Sequence, residues 1–151
     1  MLENTLTVLG LAGSGLTAGV LLAVAISVVP AMAAVSPQLY VRFHQLLGRN
    51  WDPTMPVIVL ASALTTATLA VVADGTAARS LFGLGAALLV GVSGVSHLLN
   101  VPLNRQVKGL DPDAPLPAEW RDPRAVWRRW HLLRTGLAIA ALLVNALATV
   151  A

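Results

Sequence analysis

Residues 80–104, SLFGLGAALLVGVSGVSHLLNVPLN, run for 25 positions without a charged side chain. About 20 apolar residues in a helix cross the hydrocarbon core of a bilayer. Because that core offers no water to peptide groups, the stretch should be helical. Its imidazole and its side-chain amides lie at the C-terminal end of the stretch. His97, Asn100 and Asn104 share one face if the helix continues. The segment therefore predicts a membrane helix with a polar end.

Three more charge-free runs surround this segment. They comprise 38 residues between Glu3 and Arg42, 21 from Pro53 to Ala73, and 17 from Thr135 to Ala151. The chain is 56% hydrophobic and 11% charged, whereas soluble domains carry about 25% charged residues. We therefore predict an all-α protein, a four-transmembrane-helix bundle forming one domain over residues 1–151, with spans near 5–29, 56–73, 81–99 and 132–150. The composition excludes a disordered chain and an ordinary soluble enzyme.

The first span has one competing interpretation. Ala31-Met32-Ala33 resembles a signal-peptide cleavage site. However, the N-terminus carries Glu3 and no early Lys or Arg, and the apolar stretch far exceeds the usual 7–15 residues. We therefore expect this span to be retained as a membrane helix.

The basic residues indicate how the bundle is oriented. Nine of the ten Lys and Arg residues lie in or beside the loops at residues 33–52 and 101–131, and only Arg79 lies on the other side. The positive-inside rule then places both loops in the cytoplasm and both termini outside, as in a bacterial-type inner membrane. The sequence pI of about 10.6 thus reflects contacts with lipid head groups. We see no nucleic-acid footprint.

Small residues predict close helix packing. Gly15-x-x-x-Gly19 in the first span is a motif that lets helices approach closely, either within the bundle or in a homo-oligomer. The spans contain no acidic residue and no clear repeat, which argues against a transporter or channel. With no cysteine, disulfides, thiolate metal sites and Cys nucleophiles are excluded.

The loop after the first span predicts a short amphipathic helix. Ser36 is a suitable N-cap and Pro37 suits the first helical position. Tyr40, Phe43 and His44 then share one helical face. The two aromatic rings are either anchors at the membrane interface or substrate contacts. The His44 side chain is either a solvated polar group or a functional one, acting as a ligand or a base.

Two further segments end in polar residues. Asp52-Pro53 is typical of a helix N-terminus, and the Asp52 carboxylate is also able to hold an imidazole. Pro102 removes an N–H and should kink or end the third span. Asn100 and Asn104 then either satisfy the broken helix end or line a polar pocket with His97.

The last span begins with a polar, aromatic face. Trp127, Trp130, His131 and Arg134 lie on it, and an aromatic belt with a snorkelling arginine explains part of this pattern. The preceding loop, residues 111–123, contains four prolines. It should be a stiff cover on the cytoplasmic side, able to serve as a lid.

The three histidines and Asp52 form a candidate metal set. His44, His97, His131 and Asp52 all fall on the predicted cytoplasmic side, and imidazole suits iron, copper or zinc. Their spacing is not a metal signature, so the cofactor stays open. No phosphate-binding loop, nucleophile elbow or dinucleotide fingerprint is present.

These motifs together resemble the anthrone oxygenase-like family of small four-helix membrane proteins. The resemblance covers nearly the whole chain, and its specific parts are Asn100-Val101-Pro102-Leu103-Asn104 and Trp130-His131-Leu132-Leu133-Arg134. Less specific carriers are Pro30, Phe43-His44, Asp52-Pro53, Met55-Pro56 and Trp127.

The resemblance implies a membrane oxidoreductase that inserts oxygen into a hydrophobic, polyketide-type aromatic, with dioxygen as co-substrate and no established cofactor. Combined with the one-sided polar cluster, it suggests His131 or His44 as base, and Asn100, Asn104 and Arg134 as oxyanion stabilisers. The expected substrate contacts are Tyr40, Phe43, Trp127, Trp130 and His97. The alternative is a non-catalytic membrane scaffold or accessory subunit.

Overall fold

A computed structural model describes residues 1–51 and 53–151. Its elements in chain order are α1 (Leu2–Ala23), a π-helical turn (Val24–Val28), α2 (Val29–Ala33), α3 (Pro37–Leu47), α4 (Thr54–Val72), α5 (Thr76–Val95), a second π-helical turn (Ser96–Asn100), α6 (Val101–Lys108) and α7 (Arg124–Ala148). No strand occurs in these two ranges. The predicted all-α class is therefore confirmed.

Four continuous helical segments are long and apolar enough to cross a membrane. They are Leu2–Ala33, Thr54–Val72, Thr76–Lys108 and Arg124–Ala148. Two of them, Thr76–Lys108 and Arg124–Ala148, extend beyond the charge-free runs at the end of the bundle where α3 lies, which we call the α3 end. The predicted polar residues that the structure describes lie on these two segments and on α3.

The four long helices form a bundle in which each contacts two neighbours. α1 packs against α4 and α7, and α5 packs against the same two helices. The core is built from small and branched side chains such as Ala18, Val92 and Ala138. Lipid gives no hydrophobic drive to helix association, so such packing depends on close contact between small residues.

Three glycines allow these close contacts. A Cβ at Gly85 of α5 would overlap the Asn145 amide of α7, and one at Gly13 of α1 would overlap the Ser62 hydroxyl of α4. A Cβ at Gly10 would be in ordinary contact with α4. By contrast, a Cβ at Gly15 or Gly19 would meet nothing within 4 Å. The expected Gly-x-x-x-Gly pair is thus not used inside the bundle, and its use in a homo-oligomer stays a prediction.

Gly85→Ala is expected to destabilise the bundle by about 1–3 kcal/mol, the usual cost of overpacking a core. The Asn145 amide cannot withdraw, because its Nδ2 donates to Ser14 Oγ at 2.9 Å and to Thr66 Oγ1 at 3.4 Å. Denaturant unfolding in detergent measures the change. Gly19→Ala is the matched control, and equal stability of both variants would contradict the packing described.

A π-helical turn precedes a proline in each of the two longest segments. The Val29 N–H donates to the Val24 carbonyl before Pro30, and the Val101 N–H donates to the Ser96 carbonyl before Pro102. The wider turn accommodates a residue that cannot donate and whose ring would clash with an α-helical carbonyl. Of the two outcomes predicted at Pro102, a kink or an end, the end is not found, and α6 continues to Lys108.

Side chains hold α3 across the α3 end of the bundle. Ser36 Oγ caps the helix by accepting from the Leu39 N–H at 3.4 Å, as predicted. Gln45 Nε2 donates to the Val107 and Leu110 carbonyls at 3.1 and 2.8 Å, which ties α3 to the end of α6.

Arg124 fixes the other edge of α3. Its Nη1 donates to the Met32 and Val35 carbonyls at 3.0 and 2.8 Å. Its Cζ lies 5.2 Å from the Tyr40 ring centroid, and it also bonds the Asp122 carboxylate. One guanidinium thus joins α2, α3 and the start of α7.

The proline-rich loop packs against the outer side of α3. Leu110, Leu116 and Trp120 contact a cluster that includes Tyr40 and Val41, and Asp113 pairs with Arg42. The loop braces the helix that carries His44. The predicted N-cap at Asp52 lies outside the described residues.

Candidate functional site

The α3 end of the bundle encloses a cavity of about 200 Å³. Its walls include Val20, Val24, Val59 and Val92 from three of the long helices. Its polar groups come from α3, α5, α6 and α7 and from the π turn before α6. They include His44, Ser93, Ser96, His97, Asn104, Lys108, His131 and Arg134. An apolar chamber with a few convergent polar groups is the usual form of a small-molecule site.

Four rings form a continuous run, and three of them line this cavity. Trp127 stacks on His131, with centroids 4.9 Å apart and planes 3° apart. Trp127 also meets the edge of His44 at 6.1 Å, and His44 meets Tyr40 at 5.4 Å. The run joins α3 to α7 and fixes the orientation of both imidazoles.

Asn104 links the rings to α6. Its Oδ1 accepts a hydrogen bond from Trp127 Nε1 at 2.8 Å, and its side chain also bonds His44. Asn100 lies behind the rings, is fully buried, and donates from Nδ2 to the Trp127 carbonyl at 3.2 Å. Its Oδ1 has no hydrogen-bond partner among the described residues. Asn104 is therefore the amide that faces the cavity, while Asn100 lies outside it.

His131 and Arg134 form one hydrogen-bonded unit. The ring is fully buried, and its Nε2 donates to the Leu21 carbonyl at 3.0 Å. Its Nδ1 accepts from Arg134 Nε at 3.2 Å and Nη2 at 3.0 Å. Arg134 Nη1 donates to Ser96 Oγ at 3.1 Å. This network requires a neutral ring whose two nitrogens are both engaged.

His44 has the more available imidazole. Burial lowers its pKa from the ordinary 6.5, with a smaller lowering from the charge of Lys108, while the hydrogen bond to Asn104 raises it. Asn104 is a hydrogen-bond partner of this ring. Burial also raises the pKa of Tyr40 to about 12, so its phenol stays protonated at neutral pH. At neutral pH His44 is thus an uncharged imidazole at the cavity.

The remaining predicted contacts divide between the cavity and its surroundings. Trp127 and His97 line the cavity. The His97 Nδ1 bonds the Ser93 carbonyl at 2.9 Å. Tyr40 is buried, with its ring beneath the Arg124 guanidinium. Phe43 is 40% exposed, and Trp130 lies beside Arg129. These last three do not line the cavity.

Metal binding by the histidines stays a prediction. Within residues 1–51 and 53–151, no group of three His, Asp or Glu side chains is placed to hold an ion. Asp52, the proposed fourth ligand, lies outside the described residues. His131 would have to break one of its two hydrogen bonds to ligate a metal.

The structure adds contributors that sequence reasoning did not identify. Ser96 orients Arg134 from a position 38 residues away, and the Leu21 carbonyl fixes the His131 tautomer from 110 residues away. Trp51 and Met55 complete the wall beside Gly48. A carbonyl carries no sequence signal, and Ser96 differs in no way from the other serines of its span.

Together these features define a helical protein of the membrane-spanning type with an apolar, aromatic-lined chamber that contains an imidazole and a guanidinium. The chain belongs to the anthrone oxygenase family, because the model of that family matches residues 43–144, about two thirds of its length. This confirms the resemblance and indicates an oxygenase-like role. The match begins one residue before His44 and includes Asn104, His131 and Arg134. No curated protein and no solved structure matches the chain.

Proposed function

We propose that the protein is a membrane oxygenase that converts an activated methylene of a hydrophobic, anthrone-type aromatic into a carbonyl. The observation that carries the proposal is the convergence of His44, Asn104 and Arg134 on one aromatic-lined cavity within the segment matched by the family model. The substrate reaches the cavity from the inner leaflet or the cytosol. Its rings pack against Trp127 and the valine walls.

His44 is the general base in this proposal. Its ring is neutral at pH 7 because its pKa is lowered, and it lines the cavity. The methylene of an anthrone is acidic, because loss of a proton gives an aromatic oxyanion. A positioned base typically accelerates such a proton transfer by about 100- to 10,000-fold. His131 is a positioning residue instead, since both of its nitrogens are engaged.

Arg134 and Asn104 stabilise the oxyanion. Three neutral groups, His131, Ser96 and the Trp127 ring, hold the guanidinium at the cavity wall. Preorganised donors in a water-poor site stabilise charge that develops during reaction. The amide Nδ2 of Asn104 supplies a further donor beside His44.

Dioxygen then completes the reaction. The carbanion carbon and dioxygen form a C–O bond, and the resulting peroxide takes the proton from His44. Loss of the second methylene hydrogen, with cleavage of the O–O bond, releases water and leaves the carbonyl. One oxygen atom enters the product and the other enters water, so CH₂ plus O₂ gives C=O plus H₂O.

Dioxygen uptake by the protein in nanodiscs tests this function. A hydroxylated anthrone should be consumed faster than in empty nanodiscs, with one dioxygen consumed per quinone formed. A rate equal to that of empty nanodiscs, for a set of anthrones that differ in hydroxylation, would end the proposal. Parallel metal analysis of the same sample tests the predicted iron or copper.

The acid limb of the pH profile is expected to lie below pH 6.5. The base must be neutral to accept a proton, so activity falls as pH drops through its pKa. Burial lowers that pKa from 6.5, which keeps the base active into more acidic solution. The measurement is kcat/KM against pH, which reports the free enzyme.

Asn104→Leu is the matched variant for this profile. It removes the hydrogen bond that raises the His44 pKa, so its acid limb should move to still lower pH. An acid limb above pH 6.5 in the unaltered protein would contradict the assignment of His44.

A further inference from the structure

Arg134 carries a positive charge that no carboxylate in the described part of the chain neutralises. It lies ten residues into α7, about 15 Å along the helix, and lines the cavity. The ion pairs given by the structure, Arg42 with Asp113 and Arg124 with Asp122, lie at the loops. Charged groups inside a membrane protein usually face a partner or a functional cavity.

The groups around the guanidinium orient it without neutralising it. Two N–H groups point to the neutral His131 ring and one points to the Ser96 hydroxyl. A guanidinium has five N–H donors, so two remain. The Ser96 hydroxyl is itself satisfied, since it donates to the Val92 carbonyl at 2.7 Å. The two unused donors and the unneutralised charge are therefore available to an anionic acceptor in the cavity.

The surroundings limit what that acceptor can be. The Cζ of Arg134 lies 5.9 Å from the Trp127 ring centroid, and that ring stacks on His131. The opposite walls are valines. A flat anion with its charge spread over fused rings loses less hydration free energy in such a chamber than a compact carboxylate does.

We infer that the cavity binds its ligand as an aryl oxyanion, already ionised before dioxygen reacts, with Arg134 as the counter-ion. His131 and Ser96 are positioning residues for that cation. The inference rests on the proposed function for the aromatic class of the ligand, but it concerns the resting complex. The other titratable side chains facing the cavity are His44 from α3, His97 from the π turn, His131 from α7 and Lys108 at the exposed end of α6.

The test is a spectroscopic titration with 2-hydroxyanthraquinone, whose absorption changes when its phenol ionises. The dye already carries the quinone, so no turnover is needed. In detergent-solubilised protein, the pKa of the bound dye should be at least one unit lower than in empty micelles, a shift of about tenfold in the ionisation constant. Arg134→Met should abolish the shift, and Arg128→Met, on the exposed side of α7, should keep it.

Two results would overturn the inference. The first is a bound dye in the unaltered protein with a pKa equal to or above that in micelles, an outcome that needs no variant. The second is tighter, Arg134-dependent binding of anthraquinone-2-carboxylate, which would assign the cavity to carboxylates. If Arg134→Met fails to fold, Arg134→Lys keeps the charge but loses the planar set of donors. A shift that persists in this variant supports the counter-ion role, and a complete loss of the shift contradicts it.

The same data separate this inference from the proposed function. A normal dye shift without anthrone-dependent dioxygen uptake would end the proposed function alone. Normal turnover with no shift in the pKa of the dye would overturn the inference that the ligand binds as an aryl oxyanion, and would leave the proposed function in place.

Discussion

His44→Gln is expected to lower kcat/KM for anthrone oxidation by about 100- to 10,000-fold, the usual contribution of a general base. Glutamine keeps a polar group that can bond Asn104, but it cannot accept a proton at any working pH. The bundle should persist, because Ser36, Gln45 and Arg124 also hold α3. Dioxygen uptake and quinone absorbance measure the loss.

Gln38→Ala is the control for this substitution. It lies in the first turn of α3, is exposed, and does not line the cavity. The variant should retain the rate of the unaltered protein. Equal rates for His44→Gln and Gln38→Ala would assign proton abstraction to another group.

Arg134→Met should lower kcat by about 100- to 1,000-fold, as loss of one preorganised oxyanion donor does elsewhere. Methionine fills the space of the side-chain stem but removes the charge and all five donors. The His131 Nδ1 then loses its two donors from Arg134. Single-turnover rates with saturating anthrone separate this loss from weaker substrate binding.

Arg128→Met removes an exposed guanidinium from the same helix and should leave kcat unchanged. His131→Ala tests the positioning role, since it removes the acceptor that orients Arg134 but leaves the cation in place. If Arg134→Met has the kcat of the unaltered protein, the guanidinium does not stabilise the oxyanion in the reaction.

The four spans were predictable because an uncharged run of 17 or more residues has few alternatives to a membrane helix. Their ends were less predictable. The α7 helix begins at Arg124 instead of near residue 132, because arginines and tryptophans continue a helix that apolar length alone does not reveal. At Pro102 the local rule predicted a kink or an end, and one widened turn lets the helix continue.

The sequence was sufficient to predict which residues belong to the site, but not how their side chains contact one another. The residues His44, Asn104, His131 and Arg134 stood out as polar side chains beside apolar spans. The separate roles proposed for these residues depend on the Leu21 carbonyl and the Ser96 hydroxyl, which form hydrogen bonds with His131 and Arg134 from other helices. Asn100 and Asn104 look equivalent in the sequence, yet only Asn104 reaches the cavity.

The widened turn at Ser96–Asn100 also determines which face of α6 points toward the cavity. In an α-helix one residue corresponds to about 100° of azimuth and 1.5 Å of rise. Deleting a single residue there would swing Asn104 and Lys108 a quarter-turn or more away from Trp127, while shortening the rod by little. An in-frame deletion of one codon would therefore abolish activity and disturb the packing of α6 on α3, while the contacts of α5 with α4 and α7 are kept.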